Sequence, residues 1–311
     1  MISHDKYGMG VSANGNAVAV WRDGLEAGLS LDASGIPELQ AAVELAPDFA
    51  LAHTSLARQQ MQYGMRAEAL QSLTNAIDLY HLVSEREASQ IVVLASTMEH
   101  KSNALELALA HLEQWPLDIF VFSLVVGPFG LLALSEQPCW RTGCLALLEK
   151  YRSVWPSNDW WYLSALGYAL AECEQLDEAY DLATQAWQAK PTGNCAHTLS
   201  HVLHAQGDEK RGQDFLQEWL LQHRQETEYA SDMRHHLAWH QALHGLQHGT
   251  ATQQWMTQLY ELEFDPKISA PPASHNLCRQ CFFSVAMSFA KYTAEHKIRA
   301  QHAPLRLETL S

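Results

Sequence analysis

Positive charge is what this chain has least of. Its 20 lysines and arginines stand against 35 acidic residues, a formal net charge of -15, and no dense basic stripe concentrates those few. Phosphate backbones and anionic bilayers repel such a surface, so neither nucleic acid nor a membrane is an expected partner. Long apolar runs are also scarce. The longest, Ile119 to Ser135, falls short of the roughly 20 residues of a membrane helix and is interrupted by Gly127, Pro128 and Gly130, so it reads as one buried, kinked helix. The first residues offer neither a basic head nor an apolar stretch, so no secretory signal is expected there and the cytoplasm is the expected location. Six scattered cysteines form no disulfide framework. Familiar catalytic motifs are missing: no HExxH for a zinc hydrolase, no G-x-S-x-G for a serine nucleophile, and no second CxxC to complete a zinc knuckle with His275, Cys278 and Cys281. No strand-like alternation is found either, so no sheet is expected.

Helical periodicity is what remains. Ala17 to Leu29 and Gly35 to Leu45 read as a short helical pair, and Phe49 to Leu79 as two helices meeting around Gly64. Glu85 to Glu99 pairs with Ala104 to Gln114, and Ile119 to Leu134 with Arg141 to Val154. Each of these pairs ends at a Trp-Pro step, Trp115-Pro116 and Trp155-Pro156, as related stacked units would. The clearest unit is Trp161 to Ala189. Its small and apolar positions, Leu166, Gly167, Ala179, Ala186 and Pro191, match a tetratricopeptide repeat, in which small residues let two antiparallel helices approach closely. One repeat further on, Leu199, Ser200, Gly207 and Gly212 occupy the equivalent places. The expected fold is therefore all-α, a tetratricopeptide-repeat-like right-handed α-solenoid of antiparallel helical hairpins. It should span residues 1–264 as one folding unit, with 265–311 a Pro/Ser-rich linker, a closing helix and a loose tail.

Histidine is the residue this sequence spends most unevenly. Nine of the 17 lie between Asn194 and Gly249, most of them in register. Residues four apart on a helix differ by about 40° in azimuth, so His197, His201 and His204 share one face, and His236, His240 and His244 share another. In repeats of this kind the first helix of each hairpin lines the concave groove. That register places Trp161, Ser164, Tyr168 and Ala171 in the groove, then His197, His201 and His204, then His236 and Trp239 with His240 at the edge. First helices of successive hairpins lie about 10 Å apart, so the two ladders should face each other.

Several of these landmarks resemble a known family, the one named after tetratricopeptide repeat protein 38. DKYGMGVS (Asp5 to Ser12), PDFALAH (Pro47 to His53), GPFGLLALS (Gly127 to Ser135), NDWWYLSALGYAL (Asn158 to Leu170), AHTLSHVLHAQGD (Ala196 to Asp208) and HLAWHQAL (His236 to Leu243) carry the likeness, which stops near residue 262. It implies the helical architecture and places His197, His201, His236 and His240 on two paired-histidine motifs, with His204 and His244 as additions. It implies no reaction.

Two functional readings follow. In the first, the chain is a binding module whose groove, through Trp161, Tyr168, His197, His201, His204, His236, Trp239 and His240, holds a peptide segment or small polar ligand. In the second it is an enzyme. There His201 and His240 do acid-base chemistry, steadied by another imidazole or by Asp232 or Glu228, or His197, His201, His236 and His240 hold a divalent metal. The bland alternative is that each histidine is an ordinary groove or core residue, bonded to backbone or carboxylate. A symmetric pair of chains is left open as a further partner.

Overall fold

In a computed structural model the described residues are 3–13, 15–32, 34–135, 139–223 and 232–250, with backbone only at 232 and 235; the linker, closing helix and tail expected over 265–311, and with them His275, Cys278 and Cys281, lie outside the described residues. Among the described residues the chain is helical hairpins almost throughout. Helices α1 (Asn16–Leu29) and α2 (Gly35–Leu45) pack together, as do α3 (Ala50–Gln62) and α4 (Arg66–Asp78), and α5 (Glu85–Met98) and α6 (Ala104–Gln114). They are followed by α7 (Ile119–Val125), α8 (Leu131–Leu134) and α9 (Trp140–Tyr151), then by the pairs α10 (Trp160–Glu172) with α11 (Leu176–Ala189) and α12 (Gly193–Ala205) with α13 (Glu209–Gln222). Helix α14 (Asp232–His248) opens the next unit. No described helix is long and apolar enough to cross a membrane.

Two expectations need correcting. The stretch read as one kinked helix is two, because Gly127 takes a left-handed φ of 94° and Pro128 has no N–H to continue the ladder. A small sheet also exists: β1 (Ser3–His4) pairs antiparallel with β2 (Gly10–Val11), Ser3 opposite Val11. Its turn is closed by the Asp5 carboxylate, which accepts from the backbone N–H groups of Tyr7 and Met9 at 2.9 Å each. Two residues per strand are too few to alternate, so the pattern carries no trace of it.

The two Trp-Pro steps do mark equivalent positions. Each is followed by an aspartate that caps the next first helix: Asp118 accepts from Val121 N–H, and Asp159 from Tyr162 N–H. The N-terminal ribbon docks on these same caps. Lys6 and Tyr7 reach Asp159 at 2.9 and 3.0 Å, and Arg86 joins Asp5 to Asp118 at 3.1 and 3.0 Å.

The main core runs through the hairpins, with Phe120, Phe122, Leu166 and Leu170 fully enclosed, and α10 and α11 are drawn tightly together. Gly167 is the reason. A Cβ there would sit 3.1 Å from Ala183 N and 3.2 Å from Ala179 O, closer than side chains normally approach. Gly167→Leu is expected to cost about 1 to 3 kcal/mol by overpacking. Urea unfolding checks this, and an unchanged midpoint would contradict the close approach.

The array curls until its first and sixth hairpins meet. Asn194, in the first turn of α12, donates from its side chain to Leu29 O and from its backbone to Ser30 O, and Lys190 pairs with Glu26. Helix α12 is thereby fixed at its start, where Thr192 also caps it through Cys195 N–H.

Candidate metal centre

Helices α10, α12 and α14, the first helices of three successive units, lie in order, with α12 in contact with both neighbours. Two polar contacts set the rotation of α12. Thr198 Oγ1 meets Ser164 Oγ of α10 at 2.9 Å, and Ser200 Oγ meets His244 Nε2 of α14 at 3.0 Å. On the α14 side, Leu237, Ala238 and Ala242 bury themselves with Ala196, Leu216 and Trp219 in a second apolar cluster. The remaining faces of α12 and α14 carry the two histidine ladders, turned toward one another.

The imidazoles converge on their Nε2 atoms. His197 Nε2 lies 3.0 Å from His201 Nε2 and 3.0 Å from His236 Nε2, and His236 Nε2 lies 3.1 Å from His240 Nε2. His197, His236 and His240 each offer a nitrogen within 4.8 Å of the other two, and the His201 and His240 ring centroids are 4.6 Å apart. His240, read as an edge residue, is buried in the middle of the group.

Aromatic rings wall the cluster on two sides. Tyr168 of α10 stacks on His197 and meets His201 edge-on, with centroids 6.1 and 5.0 Å apart. Trp239 stacks on His236 and meets His240 at an angle, at 5.3 and 4.7 Å. Such a shell limits the access of water, leaving His240 buried and the other three imidazoles part-buried, and disfavours charge on them. Burial accordingly holds His197 and His240 well below the ordinary histidine range, reinforced by the neighbouring imidazoles, and pushes His201 down to about 3 and His236 to about 4.

Trp161 belongs elsewhere. It shares a face of α10 with Tyr168 but lies two turns nearer the start of the helix, roughly 10 Å away. There it faces Phe122 and Trp155, with centroids 6.1 and 5.8 Å away, and it is buried in the main core. Ser164 and Ala171 are likewise buried. Of the residues expected to line the site, His204 also stands apart from the four: its Nδ1 lies 2.8 Å from Glu209 Oε1.

Sequence reasoning missed Glu209 and treated His244 as an ornament. His244 is fully buried, its Nδ1 2.6 Å from Glu209 Oε2, and its ring occupies the space that a Cβ on Gly212 would need, 2.2 to 2.5 Å from the ring atoms. The glycine, at a small-residue position of the repeat, was the available signal. Ser200, His244 and Glu209 are spaced like a nucleophile relay. Ser200 is nonetheless completely buried between α12 and α14, where no substrate carbonyl reaches its Oγ, so its part is to orient the ring. Asp232 and Glu228, considered as partners for a catalytic imidazole, lie outside the described side chains.

No protein-family model matches this chain, and no curated protein matches it. Among solved structures, one to which it is similar is a monomeric mutant of IFIT1 with m7Gppp-AAAA, at 13% sequence identity and a TM-score of 0.40, over 89% of this chain and 55% of that one. The chain thus spans about half the length of that protein, and a likeness at this level says nothing about what the histidines hold. The molecule is an all-α helical-hairpin solenoid, and its likeness to the tetratricopeptide repeat protein 38 family rests on the sequence landmarks alone.

Proposed function

We propose that the chain is a metal-binding protein, in which His197, His236 and His240, with His201 as a fourth donor, hold a divalent transition-metal ion inside the helical array. The observation that carries this reading is the run of Nε2 contacts from His201 through His197 and His236 to His240. A ring nitrogen is either a donor with one hydrogen or an acceptor with one in-plane lone pair. Of three successive contacts through four such atoms, at most two are linear hydrogen bonds. The third forces one hydrogen or one lone pair to serve twice, or sets two lone pairs against each other.

A shared cation removes the conflict, because every Nε2 then offers its lone pair to the ion. Nitrogens around a tetrahedral ion at about 2.0 to 2.1 Å stand roughly 3.3 Å apart, close to the three consecutive separations of 3.0, 3.0 and 3.1 Å. His197, His236 and His240 are the three already gathered, and His201 joins them by a shift of its ring. The energies favour the same conclusion. An unmade hydrogen bond at a buried group costs about 1 to 3 kcal/mol, whereas structural zinc contributes roughly 10 to 16 kcal/mol. Imidazole donors suit zinc, copper, nickel or iron better than calcium or magnesium.

The groove's ligand, first read as a peptide or small polar molecule, is on this proposal a cation, and the acidic surface suits that charge. Acid-base catalysis is the weaker reading. Imidazoles held near 3 and 4 are poor bases at neutral pH, while as neutral donors they are ready to coordinate. The likeness of the two His-x3-His pairs to paired motifs of the tetratricopeptide repeat protein 38 family makes the same site a candidate there.

Equilibrium dialysis of the full chain against zinc at neutral pH tests the proposal. The expected result is a tightly held ion that the double variant His197→Gln/His240→Gln no longer retains. Equally tight retention by the double variant, or no retention by the native chain, would reject it.

A further inference from the structure

The same two helices repeat the arrangement one turn further on. His204 follows His201 by three residues and His244 follows His240 by four, and their rings again face each other, with centroids 5.8 Å apart. Between them the first turn of α13 inserts the Glu209 carboxylate, with one oxygen 2.8 Å from His204 Nδ1 and the other 2.6 Å from His244 Nδ1. The three residues each offer a donor atom within 4.8 Å of the other two. Two imidazole nitrogens and a carboxylate oxygen form a donor set of the zinc type.

We propose that His204, Glu209 and His244 form a second, weaker divalent-cation site, which loads from solvent and hands the ion to the four-histidine cluster. The proposal rests on the metal reading of that cluster. Exposure gives the direction: the side chain of His204 is 46% exposed, that of Glu209 13% and that of His244 1%, so the site is open at one end and dry at the other. The Ser200 hydroxyl serves both states of the site. Without an ion, His244 donates from Nδ1 to Glu209, and Ser200 donates to Nε2; with an ion, Nδ1 turns its lone pair to the metal, and Nε2–H donates to the same oxygen. Each imidazole stays neutral through the exchange: the proton leaves Nδ1 and one is taken up at Nε2, so coordination by this site changes the tautomer with no net proton released. Room for coordination needs the nitrogen-to-oxygen gaps to widen by about half an ångström, which the half-exposed His204 and the long Glu209 side chain allow.

Spacing separates this arrangement from a two-metal catalytic clamp. Three to four residues along a helix advance about 5 to 6 Å, whereas paired catalytic metals share a bridging oxygen at about 3.5 to 4 Å. Two ions at the longer distance are too far apart to share one oxygen. They are close enough for stepwise transfer.

The test is titration of the full chain with Co2+, following stoichiometry by calorimetry and filling of the inner cluster by stopped-flow absorbance. The native chain should bind two equivalents, one tight and one weak. Glu209→Gln and, with an exposed ring that the fold does not need, His204→Gln should each lose the weak equivalent, keep the tight one and fill the inner cluster about tenfold more slowly or worse. A single equivalent in the native chain, or a loading rate that neither variant changes, would overturn the second site while leaving the inner one standing. Absence of any bound Co2+ would overturn both.

Discussion

His197→Gln should lose the bound ion while leaving the ion-free protein about as stable as before. His197 is the hinge of the cluster, because its Nε2 makes contact with both His201 and His236. A structural zinc site contributes roughly 10 to 16 kcal/mol through four ligands, so removing one costs on the order of 3 kcal/mol, or more than a hundredfold in affinity. Without the ion the substitution acts oppositely. Glutamine has a separate donor and acceptor, so its amide satisfies one neighbour from nitrogen and the other from oxygen, and the conflict along the Nε2 chain is relieved. Competition with a chromophoric chelator gives the first quantity, and urea unfolding with excess chelator the second. Unchanged affinity would contradict the coordination, and an ion-free loss of several kcal/mol would make His197 a structural residue.

Acid should unfold the ion-free chain early, in a window the histidines set. His236 is pushed down to about 4 and His201 to about 3, chiefly by burial, against about 6.5 in an unfolded chain. Between those values the unfolded state binds more protons than the folded one, so the unfolding free energy falls as pH drops through 6.5. The loss levels off only when the folded imidazoles themselves protonate, near pH 4 and 3. The His236 shift alone corresponds to roughly 3 kcal/mol, a large fraction of an ordinary domain's stability. Far-UV circular dichroism against pH should therefore show a midpoint that moves to lower pH in His201→Gln/His236→Gln, and that also moves lower when zinc is added to the native chain. A midpoint indifferent to both would show that the cluster is not what limits stability in acid.

The hairpins were legible because their markers are local. Gly167 and Ala179 sit where two helices must touch, and the Trp-Pro steps stand before Asp118 and Asp159, which cap the next helices. The four converging histidines were legible through two periodicities at once, the i,i+4 spacing within a helix and the repeat register between helices. Register failed where the neighbour mattered more than the face. Trp161 and Tyr168 point the same way from α10, but one meets Phe122 and Trp155 and the other meets His197. Glu209 was invisible for a similar reason: it lies on α13, 35 residues before His244, and only packing brings the two together. The ribbon at Ser3–His4 and Gly10–Val11 is held by the Asp5 carboxylate, and two-residue strands leave no pattern to read.

X-ray absorption at the zinc edge, on the full chain loaded with one equivalent at neutral pH, tests the four-histidine centre most directly. The expected spectrum has a first shell of nitrogen at about 2.0 to 2.1 Å, with the outer-shell scattering of several imidazole rings, and it loses ring scattering in His240→Gln. A first shell dominated by sulfur, or by water oxygens without ring scattering, would place the ion elsewhere and contradict the account.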